Sequence, residues 1–152
     1  MALPVTLPGL SDREAITDCI YRAINAFDLG DVEMLDSSLF PDATFGVASH
    51  LMHGMEQIRS QSFDFVSRLD TTHHPGNVRV LCVPGESKAK VHCSFLAYHW
   101  RKGDGMKEGT SRYTTGGYYH VDVERDGALW KARKFLVDVV WTDGDAGVMA
   151  RE

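Results

Sequence analysis

Four long segments in which apolar and polar residues alternate with a period of two, 72–83, 88–101, 108–124 and 129–141, dominate the second half of this chain. Only short turn signals separate them: Pro84-Gly85, Lys102-Gly103-Asp104-Gly105 and Asp126-Gly127. Strands joined by connections this short must be antiparallel neighbours, because a parallel return needs a crossover of a dozen residues or more. The segments therefore read as a meander. Gly109 and the pair Gly116-Gly117 fall inside two-period sequence and mark bulges or bends, so the sheet is expected to curl.

The first half has a different period. Ser11-Asp12-Arg13-Glu14 is a capping box that opens a helix over 12–28, with Ile16, Cys19, Ile20, Ala23, Ile24 and Phe27 on one stripe. Asp28 comes one turn after Ile24, at the edge of that stripe, where its carboxylate can lean into whatever the apolar face covers. Gly30 stops this helix, Asp31 caps a short second one through Val32, Leu35 and Leu39, and Pro41 ends it. Residues 43–47 read as a first strand. Met55, Ile58, Ser62, Phe65, Val66 and Leu69 then keep helical spacing between Gly54 and Asp70. Helices first and long curling strands afterwards predict an α+β domain: a cone-shaped, curved antiparallel sheet with three N-terminal helices packed on it.

Length and charge narrow the function. At 152 residues the chain is expected to form one domain over 1–152, with 1–10 and 145–152 as irregular ends. A net charge of -5 without any Lys/Arg block leaves no electrostatic footprint for nucleic acid or an anionic membrane. The start has Pro4, Pro8 and Gly9 and lacks both a basic n-region and a long apolar run, which predicts a cytoplasmic protein. Cys19, Cys82 and Cys93 are odd in number and set in apolar sequence, so they read as reduced core thiols.

Strand parity brings candidate chemistry to one face. In 88–101, His99 shares a face with Ala89, Val91, Cys93, Phe95 and Ala97. In the preceding strand His73, Pro75 and Asn77 share one parity and His74 the other, so only one of the adjacent histidines points inward. A histidine held by a carboxylate in an apolar pocket is a proton-transfer catalyst near neutral pH, since the carboxylate fixes the tautomer and favours the imidazolium. Asp28, His73 and His99 are thus candidate catalytic residues. The bland readings are a solvated turn for Asp28 and packed core histidines for the other two. The same three groups form a nominal two-His, one-carboxylate metal triad; acid–base chemistry ranks above it, and no metal is expected. Tyr113, Tyr118 and Tyr119 surround Gly116-Gly117 and one of them could offer its hydroxyl to a ligand, while Arg133 or Lys134 could supply an anion contact. His50, His53, His92 and His120 read as structural or exposed.

These residues carry a resemblance. A helix ending Ala26-Phe27-Asp28-Leu29-Gly30-Asp31, then Phe40-Pro41-Asp42-Ala43, His73-x-x-x-Asn77, and a meander with Trp130 and Trp141-Thr142-Asp143-Gly144 resemble the nuclear-transport-factor-2-like superfamily. The likeness is to the branch holding scytalone dehydratase, hexachlorocyclohexane dehydrochlorinase and polyketide-cyclase-like proteins. It implies an Asp at the first helix's end orienting a His that takes a proton from the substrate carbon, roles that fall on Asp28 and His73. A second His on the next strand falls near His99. The dehydratase's two carbonyl-polarising tyrosines are replaced, one by Phe27 and the other, by position, by Val47. Phe27, Val47, Asn77, Phe95, Tyr113 and Tyr119 are the expected substrate contacts. The expectation is a cofactor-independent, dehydratase-like lyase or isomerase. It would act on a small hydrophobic ring compound, His73 as base and His99 as the donor to the leaving group, in a homodimer or homotrimer. The alternatives are the non-catalytic small subunit of a ring-hydroxylating dioxygenase and a small-molecule binding module.

Overall fold

Ser11 opens the first helix in the way its neighbours dictate. Its Oγ accepts from the Glu14 backbone N–H at 3.2 Å while Glu14 Oε2 accepts from the Ser11 N–H at 2.7 Å, so two otherwise unpaired groups satisfy each other. In the computed structural model, which describes residues 2–151, helix α1 runs Asp12–Leu29 and buries the whole expected stripe from Ile16 to Phe27. Gly30 ends it in the left-handed conformation at φ 66°, which costs glycine nothing. Asp31 then caps α2 (Val32–Ser38), its Oδ1 accepting from Met34 N at 3.0 Å. The third helical segment, α3, is composite: Met55–Ile58 and Asp64–Val66 are α-helical, and Arg59–Phe63 between them is a π-turn.

The strands are β1 (Leu39–Val47), β2 (His50–His53), β3 (Asp70–Cys82), β4 (Lys88–Trp100), β5 (Arg112–Asp126) and β6 (Leu129–Gly144). They form one sheet in the order β2-β1-β6-β5-β4-β3. The expected α+β fold, helices laid on a curved sheet, is what forms, and β3 to β6 are the expected antiparallel meander. One pairing differs: β1 runs parallel to β6, so the sheet is mixed. The return from β1 to β6 passes through most of the chain, ample for a crossover. β1 also begins earlier than residue 43. Pro41 lies within it, at the register break between Leu39 and Thr44, where its missing N–H interrupts no ladder.

Smaller differences have equally local causes. β2 was not anticipated, being four residues folded back on β1. β5 starts at Arg112 rather than 108, because Gly109 sits at φ 74° in the preceding turn and is no bulge. Residues 146–149 are not irregular; they form a 3-10 turn capped by Asp145, and Val148 within it is buried. Cys19 and Cys93 are buried free thiols and Cys82 is half-buried. Burial pushes the Cys19 thiol up to about 12 and the Cys93 thiol to about 11, which makes both poor nucleophiles.

A buried arginine ties α1 to the rest. Arg22 donates to the Ser37 carbonyl, to Ser37 Oγ at 3.1 Å, to the Trp130 carbonyl at 2.6 Å and to Asp18 at 3.1 Å, linking α1, α2 and β6. The bend expected at Gly116-Gly117 is present: the two glycines face Trp141 and Val139 across the ladder, leaving Val140 as the extra residue on β6. A Cβ at Gly117 would fall on the Asp138 carbonyl oxygen, and one at Gly116 on the Trp141 ring. Gly117→Ala should therefore lower stability by about 1–3 kcal/mol, since backbone must move. Gly116→Ala should cost less, because the Trp141 side chain is half exposed and free to swing. Chemical denaturation of both variants checks the ordering.

Candidate active site

The last turn of α1 presses Asp28 against the start of β3, and the contact is made three times. Asp28 Oδ1 accepts from Thr71 Oγ1 at 2.9 Å and from His73 Nδ1 at 2.6 Å, while Oδ2 accepts from the His73 backbone N–H at 2.9 Å. The Asp28 and His73 side chains are 14% and 15% exposed, so this ion-pair geometry is held largely out of water. A carboxylate can only accept, so His73 Nδ1 carries the hydrogen and Nε2 is left as a bare base.

His99 enters from the end of β4, where Thr71 is its cross-strand partner. It is 4% exposed, and its ring stands edge-on to His73 with centroids 5.5 Å apart at 87°. His99 Nδ1 lies 2.9 Å from the Tyr113 carbonyl oxygen and donates to it. Its Nε2 is then also unprotonated. Burial, reinforced by the neighbouring His73, holds the His99 pKa below the ordinary imidazole value, against the Tyr113 carbonyl and Asp28, which act the other way. His99 is accordingly a neutral acceptor at rest, and the expected donor to a leaving group has no hydrogen to give from Nε2.

His73 and His99 look into a cavity of about 380 Å³ between α1, α3 and the concave face of the sheet. Phe27, Val47, Phe95, Tyr113 and Tyr119 all line it, as expected from the sequence. Asp28 does not; it sits behind His73. Tyr119 is 2% exposed and stacks flat on Phe95 at 4.5 Å, and its burial raises the phenol pKa, so its hydroxyl stays protonated. Among the described residues no Asp, Glu, Lys or Arg lines the cavity. Arg133 is engaged elsewhere, by Asp42 at 2.8 Å and Glu124 at 3.1 Å, and Lys134 is exposed.

Asn77 is corrected. It adopts φ 52° at the register break between Gly76 and Arg79, which flips the parity of the strand beyond it. Its side chain is exposed and donates to Ser94 Oγ at 3.2 Å, while Val78 and Val80 turn inward instead. His74 faces the convex side against Tyr98, at 6.0 Å between ring centroids. The sequence reading missed Ser62 on the π-turn, Thr115 on β5 and Met149 in the C-terminal turn, all of which line the cavity. Ser62 lay on the apolar stripe of its helix and was legible as inward; Met149 carried no signal. Among the described residues no cluster of three or more His, Cys, Asp or Glu is placed to hold a metal ion. Nor is any helix among them long and apolar enough to cross a membrane.

A curved sheet roofed by helices, with a carboxylate-oriented histidine in its hollow, is an architecture of the nuclear-transport-factor-2-like type. The chain belongs to the SnoaL-like domain family, which matches residues 8–135. It is 39% identical, over 99% of its length and 97% of the relative's, to "Terrestric acid biosynthesis cluster protein E" of Penicillium crustosum. Among solved structures, a candidate scytalone dehydratase from Novosphingobium aromaticivorans superposes with a TM-score of 0.73 at 18% identity, over 87% of this chain and 86% of that one. A hexachlorocyclohexane dehydrochlorinase from Novosphingobium barchaimii gives 0.69 at 21%, over 92% and 94%. At such identities these two show the shared fold alone.

The depressed His99 pKa gives a signed pH effect. The unfolded chain binds the proton more readily, so this contribution to stability is complete above the ordinary imidazole value of 6.5 and is lost as pH falls below it towards the folded value. Thermal unfolding followed from about pH 7.5 to about pH 5 should show a shallower fall in His99→Asn than in the unsubstituted protein. Parallel curves would refute a neutral buried His99.

Proposed function

We propose that the protein is a cofactor-independent lyase, dehydratase-like in its chemistry, acting on a small, neutral, hydrophobic ring compound. The observation that carries this is the Asp28–His73 pair: an acceptor-only carboxylate fixing Nδ1–H and aiming a bare Nε2 into an apolar cavity. The apolar and neutral polar side chains that line the cavity among the described residues support an uncharged substrate, since an unpaired carboxylate or phosphate would lose its hydration there without compensation. The 39% identical relative is by its name a biosynthesis cluster protein, which supports a small organic metabolite as substrate.

In this reading His73 Nε2 takes the proton from the substrate carbon beside a carbonyl. The C–H electron pair becomes the new double bond as the neighbouring C–O bond breaks, and the His73 imidazolium returns its proton to the departing hydroxyl as water. Asp28 stabilises that imidazolium in place, and Tyr119, kept protonated, donates to the carbonyl oxygen as charge gathers on it. His99 serves as acceptor for a substrate hydroxyl, in place of the donor role expected from sequence. A cytoplasmic location and self-association through the part of the convex sheet face where Leu96 and Trp141 are exposed belong to the same proposal.

The test is turnover of candidate metabolites, scored by mass spectrometry as loss of one water. His73→Ala should reduce the rate by about 10²–10⁴-fold. Asp28→Asn should also reduce it strongly with the fold retained, the amide keeping shape but not charge. A His73→Ala variant with full turnover sinks the assignment, and tight binding of the metabolite without turnover favours the binding-module reading. Exhaustive chelation should leave the rate unchanged; a rate lost on chelation and restored by one metal would overturn proton transfer by the imidazole alone.

A further inference from the structure

The convex face of the sheet carries a second histidine pair that the cavity chemistry does not use. His92 on β4 and His120 on β5 are direct partners across the antiparallel ladder. Their ring centroids are 4.9 Å apart, the planes are tilted by 47°, and the two Nδ1 atoms face each other at 3.3 Å. Two imidazole nitrogens meeting head-on can share only one hydrogen, one donating and the other accepting. A metal ion replacing that hydrogen would satisfy both nitrogens as acceptors, the form in which imidazole binds metals.

The spacing selects among metals. Two Zn–N bonds of about 2.0–2.1 Å at the tetrahedral angle hold their nitrogens roughly 3.3–3.4 Å apart. Adjacent corners of a square-planar copper or nickel site with bonds of similar length bring them to about 2.8–3.0 Å. We propose that His92 and His120 form a zinc-binding site on the convex face, with water completing the tetrahedron.

The surroundings favour this use. His92 is stacked on Tyr118 at 5.4 Å and 26°, which fixes its ring. Ser94 and Leu136, the neighbours along β4 and across β6, bring no charge. Lys90 is neutralised by Asp122 at 2.8 Å. Arg79, opposite His92 on β3, is the opposing charge in register, and it is exposed with a stem long enough to keep its guanidinium in water. With two protein ligands the site is open and exchangeable, unlike the four-ligand sites that hold a fold together. It shares no residue with the cavity.

The experiment titrates zinc chloride into the full chain near neutral pH, following imidazole nitrogens by NMR and stoichiometry by calorimetry. The expected result is one zinc per chain, with the His92 and His120 ring signals moving together. His92→Gln and His120→Gln should each weaken binding about tenfold or more, while His73→Gln retains it. Both positions are on the surface, so circular dichroism should report an unchanged fold. Zinc affinity unchanged by either convex-face substitution would overturn the site, as would affinity lost in His73→Gln, which would put the ion in the cavity. Half a zinc per chain, with doubled mass, would also overturn it, since a second copy would then replace the water ligands.

Discussion

The carboxylate of Asp28 is the constraint on which both the junction of α1 with β3 and the tautomer of His73 depend. It ends a helix whose macrodipole disfavours a negative charge at that end, and it is mostly removed from water. Its position is tolerable because β3 supplies three donors to two oxygens. Those donors fasten the helix C-terminus to the sheet edge, and one of them is the cavity imidazole, held in a single tautomer. Removing the charge would therefore loosen the α1–β3 junction and release the tautomer together.

At the other side of α1, Arg22 makes the corresponding attachment to α2 and β6. A buried guanidinium without partners would be far too costly, but here carbonyl oxygens of Ser37 and Trp130 and the Asp18 carboxylate use its donors. The helix is thus held by polar clamps to the β3 edge and to β6 within the sheet, while its apolar stripe covers the hollow between them. Curvature comes from β5, where Gly116 and Gly117 let β6 approach closely enough for the sheet to bend. A flatter sheet would bring α1 down onto β4 and β5, leaving no room for the cavity.

Much of this was legible in sequence because the signals are local. The capping box, the helix stripe, the Gly30 stop and the turns between long strands depend on neighbours a few residues away, and they appear as read. His73 and His99 were placed inward by parity, which holds until a bulge intervenes. Asn77 failed for that reason: a left-handed residue inside β3 reverses the parity beyond it, and nothing in the alternation of the strand announces that. The parallel β1–β6 pair was hidden because partners so far apart in the chain leave no local trace. Met149 reaches the cavity only because the C-terminal turn folds back over the site. The tautomer of His99 was illegible for a related reason, being set by the Tyr113 backbone carbonyl, which side-chain sequence does not display.

Counting hydrogens in the cavity shows what that tautomer does. Each imidazole has its Nδ1 hydrogen committed, one to a carboxylate and one to a carbonyl, so both Nε2 atoms arrive empty. His99 has only a peptide dipole at its Nδ1, and its burial holds its pKa below the ordinary imidazole value. Two edge-on imidazoles 5.5 Å apart would repel if both were charged, which adds to the lowering at His99. The structure therefore gives two similar side chains different surroundings, one backed by a carboxylate and the other by a peptide carbonyl, and the difference arises from what each Nδ1 touches.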